Sequence, residues 1–232
     1  MHRVLITGSN RGLGLEWVRQ CAGREWRVFA TCRDPDSAVD LQDLADQDSS
    51  VSLHPLDVTD ASQIDDLTES LRDERIDLLV NNAGVYFERW GKDPVGHIRY
   101  DQWEETFRVN TLGPMRVTEA LLVHLNRGER PLVLAITSHM GSIADIDSPR
   151  DYAYRSSKAA LNAAIHGVAH ELKPRGIGVL LLHPGWVRTR MGGASAPIGP
   201  EESVRGMLAF VDCYEPNLSG GFFRYDGTRM PW

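Results

Sequence analysis

One stretch near the N-terminus indicates the fold of this chain: Val4-Leu5-Ile6-Thr7-Gly8-Ser9-Asn10-Arg11-Gly12-Leu13-Gly14. Its short apolar run predicts a buried parallel strand, and the pattern after it predicts a helix with Leu15, Val18 and Cys21 on one side. At the start of such a helix, unpaired N–H groups and the helix dipole favour an anion, and glycine lets the backbone approach it closely. Although the spacing Gly-x-x-x-Gly-x-Gly is not the common Gly-x-Gly-x-x-Gly fingerprint, the stretch predicts a nucleotide site.

Strand and helix alternate along the rest of the chain, and no linker, repeat or low-complexity segment interrupts them. The alternation predicts an α/β fold in which one doubly wound domain, residues 1–232, holds a seven-stranded parallel sheet flanked by helices on both faces. Residues 1–130 would form the nucleotide half, and residues 131–232 the half that carries the reaction. The later strands are predicted at Arg27–Thr31, Val51–Val58, Ile76–Val80, Pro131–Thr137, Gly178–Leu182 and Gly221–Tyr225.

Composition argues against several classes of function. Of the 232 residues 42% are hydrophobic and 25% charged, which is ordinary for a globular protein. The net charge of -7 and the lack of a basic tract argue against nucleic-acid binding. Cys21, Cys32 and Cys213 have neither metal nor redox spacing, so no metal site is predicted and a reducing compartment is favoured. Without a signal-peptide pattern or an apolar run of about 20 residues, we expect a cytoplasmic protein that does not enter a membrane.

The end of the second strand indicates which nucleotide binds. In sites that prefer NAD an acidic residue there binds the ribose 2′-hydroxyl, whereas an arginine accommodates the 2′-phosphate of NADP. In this chain Cys32 and Arg33 occupy those positions, and the first carboxylate comes only at Asp34. Arg11 in the glycine turn would add a second positive charge. These residues predict NADP(H); the alternative for Arg33 is a solvated arginine in a loop.

Polar residues also follow the third and fourth strands, at the edge where ligands of parallel sheets bind. The Asp57 carboxylate could accept a hydrogen bond from an adenine amino group, or Asp57 could belong to a loop or cap a helix. Asp60 is the better N-cap for the next helix. After the fourth strand, Asn81-Asn82-Ala83-Gly84 combines two amides with two small residues, which can hold a turn and leave room for a cofactor.

A long helix is predicted to begin near Asp101, with Glu104 completing a capping box. Asn110 lies inside this helix, shortly before Gly113-Pro114, although asparagine is a poor interior residue and proline removes a helical hydrogen bond. Two interpretations remain open. Either the helix is kinked and Asn110 bonds to backbone groups there, or Asn110 holds a water molecule beside Lys158.

Tyr154-x-x-x-Lys158 is the strongest candidate for reaction chemistry. Residues four apart stack on one face of a helix, so the Lys158 ammonium would lie near the Tyr154 phenol and is expected to lower its pKa. Such a pair can exchange a proton with a carbonyl oxygen or an alcohol. Ser138, where the fifth strand ends, could hydrogen-bond the same oxygen. The alternative is a solvated pair on a helix surface, and Tyr152 has no lysine four residues on.

The motifs together resemble the full set of the short-chain dehydrogenases/reductases, in that family's order and over nearly the whole chain. They are Thr7-Gly8-x-x-x-Gly12-x-Gly14, Asn81-Asn82-Ala83-Gly84, Ser138, Tyr154-x-x-x-Lys158 and Pro184-Gly185. Three further stretches are similar to the C-factor and sniffer-type carbonyl reductases: Ala30–Pro35, Tyr152–Lys158 and Asp226–Trp232. The resemblance implies a Rossmann-like fold.

The resemblance also implies a catalytic tetrad of Asn110, Ser138, Tyr154 and Lys158. Tyr154 would be the general acid, Ser138 would orient and polarise the carbonyl, and Asn110 would anchor a proton-relay water. Lys158 would hold the nicotinamide ribose and lower the pKa of Tyr154. Besides Tyr154 and Lys158, cofactor contacts would come from Gly8, Asn10, Arg11, Leu13, Arg33, Asp57, Val58, Asn82, Gly84, Val187 and Thr189.

The implied activity is the reduction of an aldehyde, ketone or quinone by NADPH in a homodimer or homotetramer. The aromatic residues Tyr86, Phe87, Trp90 and Trp186 suggest an apolar carbonyl substrate. One departure is that more residues separate Ser138 from Tyr154 than in most relatives, and those near 145–150 are expected to bulge at the active-site rim. The alternative is a nucleotide-binding signalling or sensor protein, since C-factor relatives have been associated with intercellular signalling.

Overall fold

A computed structural model describes residues 1–88 and 93–232. Over these ranges the chain forms seven strands: β1 (Arg3–Thr7), β2 (Arg27–Cys32), β3 (Val51–Pro55), β4 (Leu78–Asn81), β5 (Leu132–Ile136), β6 (Gly178–His183) and β7 (Phe222–Arg224). They form one parallel sheet in the order β3-β2-β1-β4-β5-β6-β7. The predicted doubly wound, Rossmann-like α/β fold is therefore confirmed.

Helices connect the strands. They are α1 (Gly12–Ala22), α2 (Val39–Gln47), α3 (Ala61–Ser70), α4 (Tyr100–Phe107), α5 (Gly113–Ala120), α6 (Leu122–Leu125), α7 (Tyr152–Leu172) and α8 (Pro200–Asp212). A π-helical turn, Arg108–Leu112, joins α4 to α5, and short 3-10 turns lie at His139–Gly141, Lys173–Arg175 and Pro216–Leu218. Among the described residues, no helix combines the length and apolar content that a membrane crossing requires.

Both faces of the sheet are buried, because successive side chains of a strand point to opposite sides. In β1, Val4 and Ile6 join the apolar cluster that contains residues of α1, α2 and α8. Leu5, between them, joins the cluster that contains residues of α3, α5 and α7. The unbroken apolar runs seen in the sequence follow from this two-sided burial.

The order of the strands places the candidate site. From β1 the chain winds outward through β2 to β3, and then crosses back so that β4 lies on the other side of β1. Ligands of open parallel sheets bind at the crevice where the winding direction changes, beyond the carboxyl ends of the strands. Here that crevice lies between the ends of β1 and β4.

Several strand boundaries differ from the prediction by one residue, and two differ by more than one for a local reason. The third strand ends at Pro55 rather than Val58, and after it the Asp57 carboxylate accepts from the N–H and hydroxyl of Thr59, each at 2.8 Å, which turns the chain. The fourth strand begins at Leu78 rather than Ile76, since the Ile76 N–H donates to the His124 carbonyl, outside the sheet.

Caps were predicted for two helices, and the structure shows where each of these helices begins. Asp60 caps α3 as predicted, accepting from the N–H groups of Ser62 and Gln63. The predicted capping box of Asp101 and Glu104 is wrong, because α4 begins one residue earlier and its N-cap is Arg99. Asp101 therefore lies inside the first turn, where its charge complements the helix dipole without capping it.

Candidate active site

The turn between β1 and α1 requires its glycines. Gly8 and Gly12 have φ angles of 69° and 56°, in the left-handed region that other residues rarely adopt. A Cβ on Gly14 would lie 2.1 Å from the carbonyl oxygen of Gly8 and 2.7 Å from Nδ2 of Asn82, closer than real side chains approach. The start of α1 therefore packs directly on the end of β1. Asn10 and Leu13, two of the predicted contact residues, are half-buried in this turn.

Asn82 ties the ends of β1 and β4 together. Its Nδ2 donates to the carbonyl oxygens of Thr7 (2.8 Å) and Gly8 (3.1 Å). In return the Thr7 hydroxyl accepts from the N–H groups of Asn82 (3.0 Å) and Ala83 (2.9 Å). The segment Asn81-Asn82-Ala83-Gly84, which was predicted to hold a turn, thus holds the turn that follows β1.

Gly84 lies between the two halves of the candidate site. A Cβ on Gly84 would lie 3.3 Å from Oδ1 of Asn110 and 3.8 Å from Nζ of Lys158. The backbone at Gly84 thus contacts two of the predicted catalytic residues, and its missing side chain leaves space beside them.

Arg11 and Arg33 are both exposed at the sheet edge where the nucleotide is predicted. Arg11 is the N-cap residue of α1, in extended backbone conformation. Arg33 directly follows β2. This placement suits a 2′-phosphate, although it also suits a solvated arginine, so the preference for NADP(H) stays a prediction.

Asp57 has the local role that sequence analysis kept as the alternative, because its Oδ1 holds the turn at Thr59. Val58 is buried against the start of α5: a Cβ on Gly113 would lie 2.7 Å from its Cγ2. The hydrogen bond of Asp57 with an adenine amino group and the cofactor contact of Val58 stay predictions.

The segment after β6 closes over the glycine turn. A Cβ on Gly12 would lie 3.5 Å from Cγ2 of Thr189, so the two segments face each other across a short gap. Thr189 Oγ1 accepts from the Gly192 N–H at 3.1 Å. Val187 is buried and pairs with Ile198. Residues from the first and the last third of the chain therefore meet at one edge.

Asn110 lies in the π-helical turn rather than in a regular helix. Its side chain bonds to a neighbouring segment: Oδ1 accepts from the Val85 N–H (2.8 Å), and Nδ2 donates to the Val85 carbonyl (2.9 Å) and to Ser157 Oγ (3.1 Å). Four residues on stands Pro114, which has no N–H for the Asn110 carbonyl. The side chain therefore bonds to neighbouring segments rather than to backbone groups of its own helix, and a water molecule held by Asn110 beside Lys158 stays a prediction.

Tyr154, Ser138 and Lys158 meet at the carboxyl end of β5. Ser138 follows β5, and its hydroxyl accepts from the Met140 N–H at 3.1 Å. It lies close enough to the Tyr154 phenol to exert a small lowering effect on the pKa of that phenol. Lys158 lies one turn after Tyr154 on α7, with Nζ 5.9 Å from the centre of the Tyr154 ring. The Lys158 ammonium donates to the Ile136 carbonyl at 2.9 Å. The structure thus brings together the three residues that the sequence indicated for the reaction.

Burial shifts the pKa of Tyr154 and of Lys158 in the direction that favours the neutral form of each group. It raises the pKa of Tyr154 to about 12, against a smaller lowering effect of Ser138. It lowers the pKa of Lys158 to about 8. The prediction that Lys158 lowers the pKa of Tyr154 is therefore wrong for the protein by itself, because desolvation disfavours the charged form of each group. The phenol remains protonated at neutral pH.

Sequence reasoning missed two residues that contact Tyr154. The Met191 sulfur lies 4.0 Å from the phenol oxygen, and Glu88 Oε2 accepts from the Tyr154 N–H at 2.9 Å. Tyr86, which the sequence indicated only as one of several aromatic residues favouring an apolar substrate, stacks on Tyr154 with ring centres 4.3 Å apart. No spacing rule could reveal these contacts, since they depend on how a loop packs on α7.

The mouth of the site is partly apolar. Phe87 is 41% exposed and Trp186 46% exposed. Trp90 lies outside the described residues. The segment between Ser138 and Tyr154 also exposes Ile143 and Ile146. This segment is fastened by its Ala144 N–H, which donates to the Trp232 carbonyl at 2.9 Å.

A dinucleotide fits the residues at this edge. Glycine is sterically required at Gly14, and the missing side chains of Gly12 and Gly84 leave the backbone open to a ligand. The N-terminus of α1, which favours phosphate, and the Tyr154 phenol lie at the same edge. A separate cavity of about 690 Å³ lies at the opposite edge, beside Met1, Trp26 and Ser50, which precede β1, β2 and β3.

Comparison with known proteins agrees with this geometry. The family model "short chain dehydrogenase" matches residues 2–197. This chain belongs to the short-chain dehydrogenase family. A curated relative, the C-signal of Myxococcus xanthus, is 46% identical over 157 residues, which are 68% of this chain and 93% of that protein. The 1-hydroxy-2-glutathionyl-2-methyl-3-butene dehydrogenase of Rhodococcus sp. is 34% identical over the full length of both chains.

Solved structures of carbonyl reductases share the whole family fold. The carbonyl reductase Sniffer of D. melanogaster is 31% identical with a TM-score of 0.91, covering 100% of both chains. The NADPH-bound carbonyl reductase from chicken fatty liver is 32% identical with a TM-score of 0.93, covering 100% of this chain and 99% of that one. A carbonyl reductase from Pseudomonas aeruginosa, in complex with NADP, is 32% identical with a TM-score of 0.85 over both full chains. The chain is therefore an oxidoreductase of this family with carbonyl reductases among its structural neighbours.

Proposed function

We propose that this protein is an NADP(H)-dependent carbonyl reductase that converts an aldehyde, ketone or quinone into the alcohol. The observation that carries the proposal is the buried phenol of Tyr154, beside Ser138 and Lys158, at the same sheet edge as a turn that requires glycine. Residues 1–232 would act as one domain, since the glycine turn belongs to the first half of the chain and Tyr154 to the second.

Tyr154 would be the general acid. The phenol carries a proton at neutral pH, and it would donate this proton to the substrate oxygen. Ser138, which lies near the phenol, would orient and polarise the carbonyl. NADPH bound at the glycine turn would supply the hydride for the carbonyl carbon.

Lys158 and Asn110 would return a proton to Tyr154. The pKa of Lys158, lowered by burial to about 8, lets the ammonium release and regain a proton near neutral pH. The Asn110 carbonyl, with no α-helical donor at Pro114, would hold the water that connects Lys158 to solvent. Gly84, which approaches both Asn110 and Lys158, keeps the space between them open.

The cofactor preference is inferred from charge. Arg33 follows β2 where an NAD site would have a carboxylate, and Arg11 lies in the glycine turn. Two of the similar structures contain NADPH or NADP. For the substrate, the exposed Phe87, Trp186, Ile143 and Ile146 favour an apolar carbonyl compound over a charged one.

A turnover screen tests the proposal. Aldehydes, ketones and quinones are offered with NADPH to the wild type and to Tyr154→Phe, which keeps the ring and loses the proton donor. General acid catalysis contributes roughly 10²–10⁴-fold, so turnover should fall at least that far while NADPH affinity is retained. Lys158→Ala should lose turnover and some cofactor affinity, and Ser138→Ala should be intermediate. No turnover by the wild type, or equal turnover by Tyr154→Phe, would contradict the proposal.

A signalling protein is the second candidate, and it rests on the 46% identity to the C-signal of Myxococcus xanthus. A protein that signals through its nucleotide-bound conformation needs the glycine turn but not the Tyr154 hydroxyl. For that function Tyr154→Phe would leave the biological output intact as long as NADPH still binds, which separates the two candidates.

Oligomer state and compartment are also inferred. One side of α7 carries the exposed Ala163 and the half-buried Ala159, Ala160 and Ala164, small residues that would let a second copy approach closely, so we infer a homodimer or homotetramer. Cys21, Cys32 and Cys213 are free cysteines, which is compatible with the reducing cytoplasm.

A further inference from the structure

The first turn of α7 is not capped by its own N-cap residue. Asp151 has a φ of 57°, in the left-handed region, and its side chain makes no capping hydrogen bond within the described structure. Its Oδ1 instead accepts from the Tyr86 hydroxyl at 2.6 Å. Because the first four N–H groups of a helix have no partner inside it, those of α7 must be satisfied from elsewhere.

Glu88 satisfies the N–H group of the catalytic residue itself. Its Oε2 accepts from the Tyr154 N–H at 2.9 Å, although the two residues lie 66 positions apart. Glu88 is only 4% exposed. A carboxylate at a helix N-terminus interacts favourably with the dipole, and a charge-assisted hydrogen bond is about twice as strong as a neutral one.

The residues before Glu88 connect the same segment to the rest of the site. Val85 exchanges two backbone hydrogen bonds with the Asn110 side chain, at 2.8 and 2.9 Å. The Tyr86 ring stacks on the Tyr154 ring. The segment Val85–Glu88 therefore runs from the π-helical turn to the start of α7, and Glu88 is its last contact with Tyr154 among the described residues.

We propose that Glu88 is a positioning residue that acts through the Tyr154 N–H. By holding the start of α7 against the segment Val85–Glu88, it sets the position of the Tyr154 phenol relative to Ser138, which lies on a different segment. The inference rests on the proposed function, in which that phenol donates a proton. Proton donation requires hydrogen-bond distance to the substrate oxygen, so a displacement of about 1 Å is expected to cost a large part of the rate.

Two substitutions distinguish the hydrogen-bond acceptor of the Glu88 side chain from its negative charge. Glu88→Gln keeps an oxygen that can accept from the Tyr154 N–H, whereas Glu88→Ala removes it. Glu104→Ala, at an exposed position of α4, is the matched control. For each variant, sites are counted by NADPH titration, and kcat and KM per site are measured for a carbonyl that the wild type reduces. Hydrogen exchange at the Tyr154–Lys158 amides is recorded beside them.

Glu88→Ala should lower kcat per NADPH site by roughly ten-fold or more and speed exchange at the start of α7, with NADPH affinity within about two-fold of the wild type. Glu88→Gln should restore kcat to within about three-fold, because a neutral acceptor keeps the hydrogen bond. Glu104→Ala should match the wild type.

A structural role alone would lower the number of active sites and leave kcat per site unchanged. That result for Glu88→Ala, with an active wild type, would overturn the inference and leave the proposed function standing. Equal losses in Glu88→Gln and Glu88→Ala would also overturn it, since the acceptor oxygen would then not matter. If the wild type reduces no carbonyl, the proposed function fails, and this role of Glu88 fails with it.

Discussion

Replacing Gly14 by alanine should damage the cofactor site through a single methyl group. The added Cβ would lie 2.1 Å from the Gly8 carbonyl oxygen and 2.7 Å from Asn82 Nδ2, and an ordinary contact there needs more than 3.4 Å. The Gly8 carbonyl is backbone and Asn82 is held by two hydrogen bonds, so neither can move away freely. The start of α1 must therefore shift away from the end of β1.

The magnitude follows from two opposing effects. Overpacking a tight site costs roughly 1–3 kcal/mol. Alanine in a helix gains about 0.5–1 kcal/mol over glycine, which offsets part of that cost. Because the 2.1 Å contact is to backbone, the cost lies at the upper end of that range, and the net loss of about 2–2.5 kcal/mol corresponds to a fall in Tm of about 4–10 °C for a chain of this size. Because the shift also moves the N–H groups at the start of α1, we expect NADPH to bind roughly ten-fold more weakly.

Gly167→Ala is the matched control. Gly167 also lies inside a helix, α7, and a Cβ there would have no atom within 4 Å. Its Tm should stay the same or rise, in line with a gain of about 0.4–1 kcal/mol. Thermal unfolding and NADPH titration of both variants check the prediction. If Gly14→Ala binds NADPH and unfolds as Gly167→Ala does, the steric account of the glycine turn is wrong.

Four further predictions concern other parts of the chain. Arg33→Ala should weaken NADPH about ten-fold or more and leave NADH nearly unchanged, since it removes a charge-assisted contact worth roughly 1.5–3 kcal/mol; equal titration curves for the two nucleotides in the wild type would contradict this. Lys158, whose pKa falls from 10.5 to about 8 on folding, binds fewer protons folded than unfolded between those values, so its contribution to stability rises with pH across that window; without nucleotide, the Tm of the wild type relative to that of Lys158→Met should therefore rise with pH there. Asp60→Ala should lower the free energy of unfolding by about 1 kcal/mol in denaturant titration, because α3 loses its cap. Light scattering at micromolar concentration should show a dimer or tetramer, and a monomer would refute the inferred association.

Much of the fold could be predicted because its signals are local. The apolar run Val4-Leu5-Ile6 reports burial on both faces of a sheet, and Gly8 and Gly12 report backbone angles that other residues rarely adopt. Asp60 caps α3 through N–H groups two and three residues on. The spacing of Tyr154 and Lys158 sets both on one side of α7 whatever surrounds the helix.

Other features depended on contacts between distant segments, and only the tertiary structure decided them. The helix around Asn110 contains a π-helical turn whose Asn110 side chain bonds to Val85, which belongs to a different segment. Glu88 reaches the Tyr154 N–H across 66 positions, and no periodicity links the two.

The pKa values of Tyr154 and Lys158 show the same difference between what is local in the chain and what depends on the tertiary structure. The sequence by itself determined that Tyr154 and Lys158 would be neighbours, and from charge alone it predicted that the lysine would lower the pKa of the phenol. Packing around α7 reversed the direction, raising the pKa of Tyr154 to about 12 and lowering that of Lys158 to about 8. Spacing on a helix is a property of the local chain, whereas desolvation depends on every segment that folds over the group.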